Sequence, residues 1–459
     1  MERGHLCFGR VEIEPVNAMD YCTGVGAATS GIANPLTWVQ IPVCALFKKT
    51  LFRLCFVRGL DSERQIGLTY HIDIVELGEV TMPEINRSLE NVGTGFAAFL
   101  APPGPEVIRF SVGQPDFATP QPVVDEAKAA LDRGETTYTR TQGSVELCDA
   151  VALHLSKHNI PVDPQDVLIT PGCKQALLYS MMATLEAGDE VLLLSPAWPS
   201  YDGMLKLLNC KPVHVPVLRE NYHPNFDALE AAVTMKTKAI LINSPNNPTG
   251  AVYTPEEIQQ LVDFAIKHDL WIIDDMIYAG LAWTDYPYTS PCSLKGGVDR
   301  TITVGGWSKC WAMTGWRLGW ITGPKHVMDG VKKINVSAAT HVAAFMMPAA
   351  TVALGLEEET AAMAASFKER RAIIHGLLKE LPGIIVPEPE GAFYAFCDIT
   401  GTGMDDIEFA TRALDEANVQ LIPGSLMDGG EGYVRISYAT STENIHEGVR
   451  RLSDWLNSL

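Results

Sequence analysis

From Pro120 onward this 459-residue chain alternates short apolar runs with helical stretches, and that alternation leaves few folds open. Asp166–Thr170 reads as a short buried strand that stops at Pro171-Gly172, and Lys174–Glu186 reads as the helix that follows. Val191–Leu194, Val213–Val217, Ala239–Asn243, Leu270–Ile273 and Thr301–Val304 are further strand-like runs, with Pro199–Asn209 as an intervening helix. Thr254-Pro255-Glu256-Glu257 has the form of a helix start, with Thr254 as cap, Pro255 in the first turn and Glu257 closing a capping box. This order predicts an α/β fold whose mostly parallel sheet is covered by helices on both faces. In such sheets ligands sit beyond the carboxyl ends of the strands.

After about residue 340 the helical segments Phe345–Leu356 and Glu358–Leu381 lead into Phe393–Cys397 and Val434–Ser437, which reads as a smaller α+β domain. The expected division is an extension over 1–81, an N-terminal arm and part of the small domain over 82–119, a large domain over 120–340 and a C-terminal small domain over 341–459. Pro103, Gly104 and Pro105 make the arm irregular ahead of a strand at Val107–Phe110. Residues 1–81 stand apart. They hold four of the ten cysteines, and Ala45–Leu60 matches neither helix nor strand period well. Met82-Pro83-Glu84-Ile85-Asn86 is a natural start for the folded part, so the first 81 residues read as an upstream extension or a misassigned start. A regulatory or targeting extension is the rival reading.

Composition narrows the classes of function. At 47% apolar and 20% charged residues, neither disorder nor a coiled coil is favoured. A formal net charge of -20 argues against a nucleic-acid partner, which requires clustered Lys and Arg. The cysteines form no CxxC pair and no Cys/His cluster at zinc spacing, so free thiols in a reducing compartment and no metal are expected. The apolar stretch Trp38–Phe47 is broken by Gln40 and Pro42 and is too short to span a bilayer. No signal peptide is evident at the start. A cytoplasmic enzyme, unattached to membrane, is the expectation.

The chemistry concentrates in Gly306-Trp307-Ser308-Lys309-Cys310-Trp311-Ala312-Met313-Thr314-Gly315-Trp316-Arg317. The Lys309 amine can form an imine with an aldehyde, while Ser308 and Arg317 can hold a phosphate dianion. Pyridoxal 5′-phosphate is the common cofactor of that shape. Gly172-Cys173-Lys174 lies where strand turns into helix, a natural anion site, although a simple turn glycine explains it as well. Asp275 follows an apolar run and can pair with a pyridinium nitrogen, or can cap a helix. Asp274 is the rival position, and Tyr278 three residues on favours Asp275 by presenting a phenol beside the imine. Asn247, in Asn246-Asn247-Pro248-Thr249-Gly250, is a strong turn signal whose amide can reach the ring hydroxylate. Trp198 can stack on the pyridine face or belong to the core. Arg435, among strand-like residues, needs an anion to be buried, and a substrate α-carboxylate or an edge-strand salt bridge would each serve.

Together these segments resemble the class I and II aminotransferases, pyridoxal phosphate enzymes of fold type I. Gly113-Gln114-Pro115-Asp116-Phe117, Tyr138-Thr139 with Gly143, Gly391-Ala392-Phe393-Tyr394, Pro423-Gly424 and Gly315-Trp316-Arg317-Leu318-Gly319 complete the resemblance, which covers about Val107 to the end. It implies that Lys309 forms the internal aldimine and shuttles the proton. It implies that Arg317, Ser308 and the turn at Gly172 hold phosphate, and that Tyr138 reaches in from a second subunit of a homodimer. Arg435 and Asn247 would hold the substrate carboxylate, backed by Gly113. Three positions depart from the pattern: Gly306 where a serine is frequent, Met276 where an acid often follows the ring aspartate, and Cys148 where an arginine is frequent.

In aspartate aminotransferases of this group a lysine in the turn matching Lys174 can meet the distal substrate carboxylate. The resemblance therefore implies aspartate or glutamate as donor, with a 2-oxo acid as acceptor, in a ping-pong reaction. A solvated helix-start lysine is the plain alternative. A carbon–sulfur β-lyase uses the same fold, and a cofactor-sensing transcription regulator would need a DNA-binding module, of which residues 1–81 carry no helix-turn-helix sign.

Overall fold

The computed structural model describes residues 104–459 together with Asn86, Leu89 and Phe99, and the backbone of three strands further upstream. Those are β1 (Leu36–Gln40), β2 (Thr50–Leu60) and β3 (Ile66–Glu76). They pair antiparallel in the order β1-β2-β3, within a compact unit of residues 1–84. The stretch that matched neither period is thus largely strand. Met82–Ile85 and Pro103 lie outside the described residues.

Residues 85–459 form the other unit. In chain order it opens with β4 (Ile108–Arg109), α1 (Gln121–Asp132), α2 (Val145–Ser156), β5 (Val167–Thr170), α3 (Cys173–Thr184), β6 (Glu190–Ser195) and α4 (Ser200–Leu207). Then come β7 (Lys211–Pro216), α5 (Phe226–Ala232), β8 (Thr237–Asn243), α6 (Pro255–Lys267), β9 (Trp271–Asp275), β10 (Thr301–Gly306) and β11 (Gly319–Thr322). Seven strands make one sheet in the order β5-β11-β10-β9-β8-β6-β7. All run parallel except β11, which is antiparallel to both its neighbours. The sequence reading anticipated six of these strands and missed β11, whose Gly319 weakens a strand signal. The glycine is required, because a Cβ there would stand 2.4 Å from the Cys173 amide nitrogen.

Both faces of the sheet are dry. Val191, Leu193, Leu241 and Ile273 enter one buried cluster, while their neighbours Leu192, Ile240, Ile242 and Ile272 enter another. Successive side chains of a strand point to opposite faces, so continuous apolar runs are what a doubly covered sheet demands. On the second face, α6 contributes Ile258, Leu261, Val262 and Ala265, and its Thr254–Glu257 capping box is formed as expected. Helix α3 ends at Thr184, not Glu186, because Leu185 is extended.

The chain continues with α7 (Lys325–Ala338), α8 (Met346–Leu354) and the long α9 (Glu357–Leu378). It closes with β12 (Tyr394–Asp398), α10 (Asp406–Ala417), β13 (Val419–Gln420), β14 (Ile422–Pro423), β15 (Tyr433–Ser437) and α11 (Thr442–Asn457). An antiparallel sheet β12-β15-β14 lies beside the parallel pair β13-β4. The N-terminal segment at Ile108–Arg109 is thereby stitched to Val419–Gln420, far away in sequence. Among the described residues no helix is long and apolar enough to cross a membrane, and the six described cysteines are free.

Candidate active site

A cavity of about 420 Å³ opens at the carboxyl ends of the parallel strands, within the size range of small-molecule sites. Gly113, Cys173, Lys174, Trp198, Asn247, Asp275, Tyr278, Ser308, Lys309, Arg317 and Arg435, all singled out in the sequence, line it. Parallel strands deliver their loops to one edge, and Gly113 and Arg435, which lie outside that sheet and 322 positions apart, meet those loops there.

Lys309 follows β10, and its Nζ donates to the Gly113 carbonyl at 2.6 Å. Burial, with Arg435 and Arg317 adding repulsion, pushes the amine down to about 8. Asp275 ends β9 on the same face as Ile273. Its Oδ2 accepts the Tyr201 hydroxyl at 2.7 Å and its Oδ1 accepts the Ile277 amide at 3.2 Å. Burial pushes this carboxyl up, and those hydrogen bonds oppose the shift. Asp274 points to the opposite face, where Tyr288 and Ser290 donate to its Oδ2 at 2.6 and 2.7 Å. The alternation along β9 decides which aspartate meets the cavity.

Gly172, at φ +85°, turns the chain from β5 into α3. A Cβ at this glycine would lie 2.4 Å from Nη2 of Arg317, so the guanidinium packs against bare backbone. Arg317 is itself left-handed and donates from Nη1 to the Thr314 carbonyl at 3.0 Å. The amides that begin α3 have no acceptor within the helix by position. Cys173, Ser308 and Arg317 line the same cavity, so these amides, the hydroxyl and the guanidinium offer donors to an anion there. Gly306 departs from the family serine for a local reason: a Cβ there would be 2.7 Å from the carbonyl oxygen of Leu318, the residue before β11.

Arg435 lies mid-strand in β15 and is only 2% exposed. Its Nη1 donates to Asn247 Oδ1 at 3.0 Å and its Nη2 to the Ser111 carbonyl at 2.9 Å, and the guanidinium rests 4.7 Å above the Tyr394 ring. Tyr278 and Tyr394 share a hydroxyl–hydroxyl bond of 2.8 Å. Lys174 holds its Nζ 4.8 Å over the Trp198 ring, and burial beside Arg317 keeps its amine below the ordinary range. Tyr138 stands outside the cavity, 90% exposed, with its ring edge-on to His341.

Four cavity residues escaped the sequence reading in their roles: Tyr201, Asn243, Thr314 and Tyr394. Asn243 ends β8, donates to the Asp275 carbonyl at 3.0 Å and accepts the Asn247 amide at 2.9 Å, so it ties two site residues together. Tyr201 lies three residues after Trp198, in the first turn of α4, and that proximity is the only signal the sequence offers for it. The Gly113–Phe117 segment is held in turn by Arg370, which meets Asp116 at 2.6 Å.

A half-buried lysine of lowered basicity, a buried carboxylate in the same cavity and a glycine turn at a helix start beside an arginine suit pyridoxal phosphate. These features on this sheet define a pyridoxal phosphate enzyme of fold type I. The sequence profile of the family described as aminotransferase class I and II matches residues 105–452. The aspartate aminotransferase of Pyrococcus abyssi is 42% identical over 394 residues, covering 84% of this chain and 97% of its own. The aromatic-amino-acid aminotransferase 2 of Thermococcus litoralis is 40% identical over 353 residues, covering 75% of this chain and 90% of its own. Among solved structures, the aspartate aminotransferase from Thermus thermophilus with maleate superposes with a TM-score of 0.76 at 33% identity, over 81% of this chain and 100% of that one. The chain belongs to the class I and II aminotransferase family. It is a pyridoxal-phosphate-dependent enzyme acting on amino acids and 2-oxo acids.

Proposed function

We propose that the chain moves the amino group of an acidic L-amino acid, aspartate or glutamate, to a 2-oxo acid, with Lys309 as the covalent and proton-carrying residue. The carrying observation is the half-buried Lys309, its amine pushed down to about 8, in one cavity with the buried Asp275. When bound, pyridoxal phosphate supplies an electron sink for charge developing at the substrate α carbon. The chain's residues do the rest. Asp275, oriented by Tyr201 and the Ile277 amide, holds a proton on the ring nitrogen. Arg317, Ser308 and the amides after Gly172 hold the phosphate. Asn247 and Tyr278 hydrogen-bond beside the reacting amine, and Trp198 covers one ring face. Arg435 takes the α-carboxylate with two parallel donors, backed by Gly113. Lys309, once free, carries the proton from the α carbon.

The substrate class rests on Lys174, on the cavity wall beside Trp198, as the counter-charge to a distal carboxylate. Relatives named aspartate aminotransferase, and a neighbour solved with the dicarboxylate maleate, support that reading. The 90% exposure of Tyr138 supports its completing the site of a second subunit in a homodimer. The free described thiols support a cytoplasmic location. Residues 82–119, 120–340 and 341–459 form arm, large and small domains. Borohydride reduction of the protein with its cofactor, followed by peptide mapping, tests the central claim. The label is expected on Lys309 alone, and a label on another lysine would sink it.

A further inference from the structure

His223 lies outside the cavity, yet both of its ring nitrogens face carboxylates. Nδ1 stands 2.8 Å from Glu257 Oε2 and Nε2 stands 2.9 Å from Glu390 Oε2, with the side chain 6% exposed. A neutral imidazole has one nitrogen lone pair, which would here point at a carboxylate oxygen. Only the doubly protonated ring satisfies both contacts, and the two carboxylates accordingly push His223 up to about 9. The remaining ring close by is Tyr253, edge-on at 5.9 Å.

Each carboxylate has a second task. Glu257 closes the capping box of α6 by accepting the Thr254 amide at 2.8 Å. Glu390 accepts the Val252 amide at 2.9 Å. Its own amide donates to the Gly250 carbonyl at 3.0 Å, as that of Gly391 does at 2.7 Å, and its carbonyl accepts the Trp283 amide at 2.7 Å. Gly250 closes the turn that carries Asn247. Two residues beyond Glu390, Ala392 is held left-handed at φ +55°, a conformation unfavourable for a residue with a Cβ. Two residues further, Tyr394 presses its hydroxyl against Gly113, where a Cβ would lie 2.3 Å away. The Gly113 carbonyl is the acceptor for Lys309.

The geometry points to His223 as a positioning residue for amino transfer: as an imidazolium bridging Glu257 and Glu390, it locks segment 390–394 so that Tyr394 sets the Gly113–Lys309 contact. The inference rests on the assignment of Lys309 made above. In H223Q the single-turnover rate of cofactor conversion by L-aspartate falls about tenfold while the KM changes less than about twofold, as expected when a reacting group is misplaced by a fraction of an ångström. In cofactor-free H223Q the Lys309 amine, followed by the pH dependence of its acylation, titrates nearer to an ordinary lysine than in the unsubstituted protein. E390Q keeps the imidazole and its bond to Glu257, so it shifts both readouts the same way by less, and it carries the test if H223Q does not fold. Val449→Ala in α11, a core truncation away from the site, lowers the melting temperature and leaves both readouts in place. Variants at 223 and 390 that melt earlier but keep the parent rate and the parent Lys309 titration would overturn the proposal. A borohydride label absent from Lys309 in the unsubstituted enzyme would instead overturn the assignment on which it rests.

Discussion

At the end of β9 two adjacent aspartates stand on opposite faces of the sheet and meet different surroundings. On one face Asp274 is enclosed by the hydroxyls of Tyr288 and Ser290, and burial pushes it up to about 7. On the other face Asp275 looks into the cavity, with Tyr201 on one oxygen and the Lys309 charge pulling its carboxyl downward. Both are fully buried carboxylates on one strand, and only one has an opening for a ligand. The difference teaches that burial and a raised carboxyl do not mark a site by themselves. Access and a facing cation do.

The comparison can be broken in several ways. The largest expected effect is at the facing cation: Lys309→Ala lowers turnover by more than about 10⁴-fold, measured as cofactor conversion by an amino donor under single-turnover conditions. Next, Asp275→Asn slows the same conversion by about 10²–10³-fold, the usual scale for losing one preorganised charge contact, while Asp274→Asn stays within about threefold of the parent. Equal losses in the two variants would erase the distinction between the faces.

The faces also differ in how they answer to pH. Asp274 in the folded chain holds its proton to about pH 7, above the ordinary carboxyl value. Its contribution is therefore complete below the unfolded pKa near 4 and is lost as pH rises to about 7. The swing is about 4 kcal/mol by linkage. Melting temperature followed from pH 4 to 8 should fall less in Asp274→Asn than in the parent, and matching profiles would refute the environment assigned to Asp274.

Two further substitutions sharpen the cavity side. Arg435→Lys replaces a two-pronged donor by a point charge, and kcat/KM for aspartate is expected to fall about 10²-fold. Lys174→Ala has the smaller effect of the two, an increase of about tenfold in the KM for aspartate or glutamate, worth about 1.4 kcal/mol, with less than a twofold change for alanine. Equal changes for acidic and neutral donors would remove the acidic-substrate reading.

The sequence by itself determined the α/β class, the order of most strands and eleven residues that line one cavity. Buried parallel strands read as continuous apolar runs, and Lys309, Asp275, Asn247 and Arg435 each belong to short polar motifs that stand out beside such runs. Tertiary structure alone decided the antiparallel insertion of β11, because its glycine answers to the close approach of Cys173 and not to local propensity. It alone brought Ile108–Arg109 to Val419–Gln420, and Tyr201, Asn243 and Tyr394 to the site, since these act through hydrogen bonds to partners distant in the chain. It also decided that Asp274 and Asp275 serve opposite faces. A one-residue step along a strand reverses the direction of a side chain, and which direction meets a cavity depends on what is packed against each face.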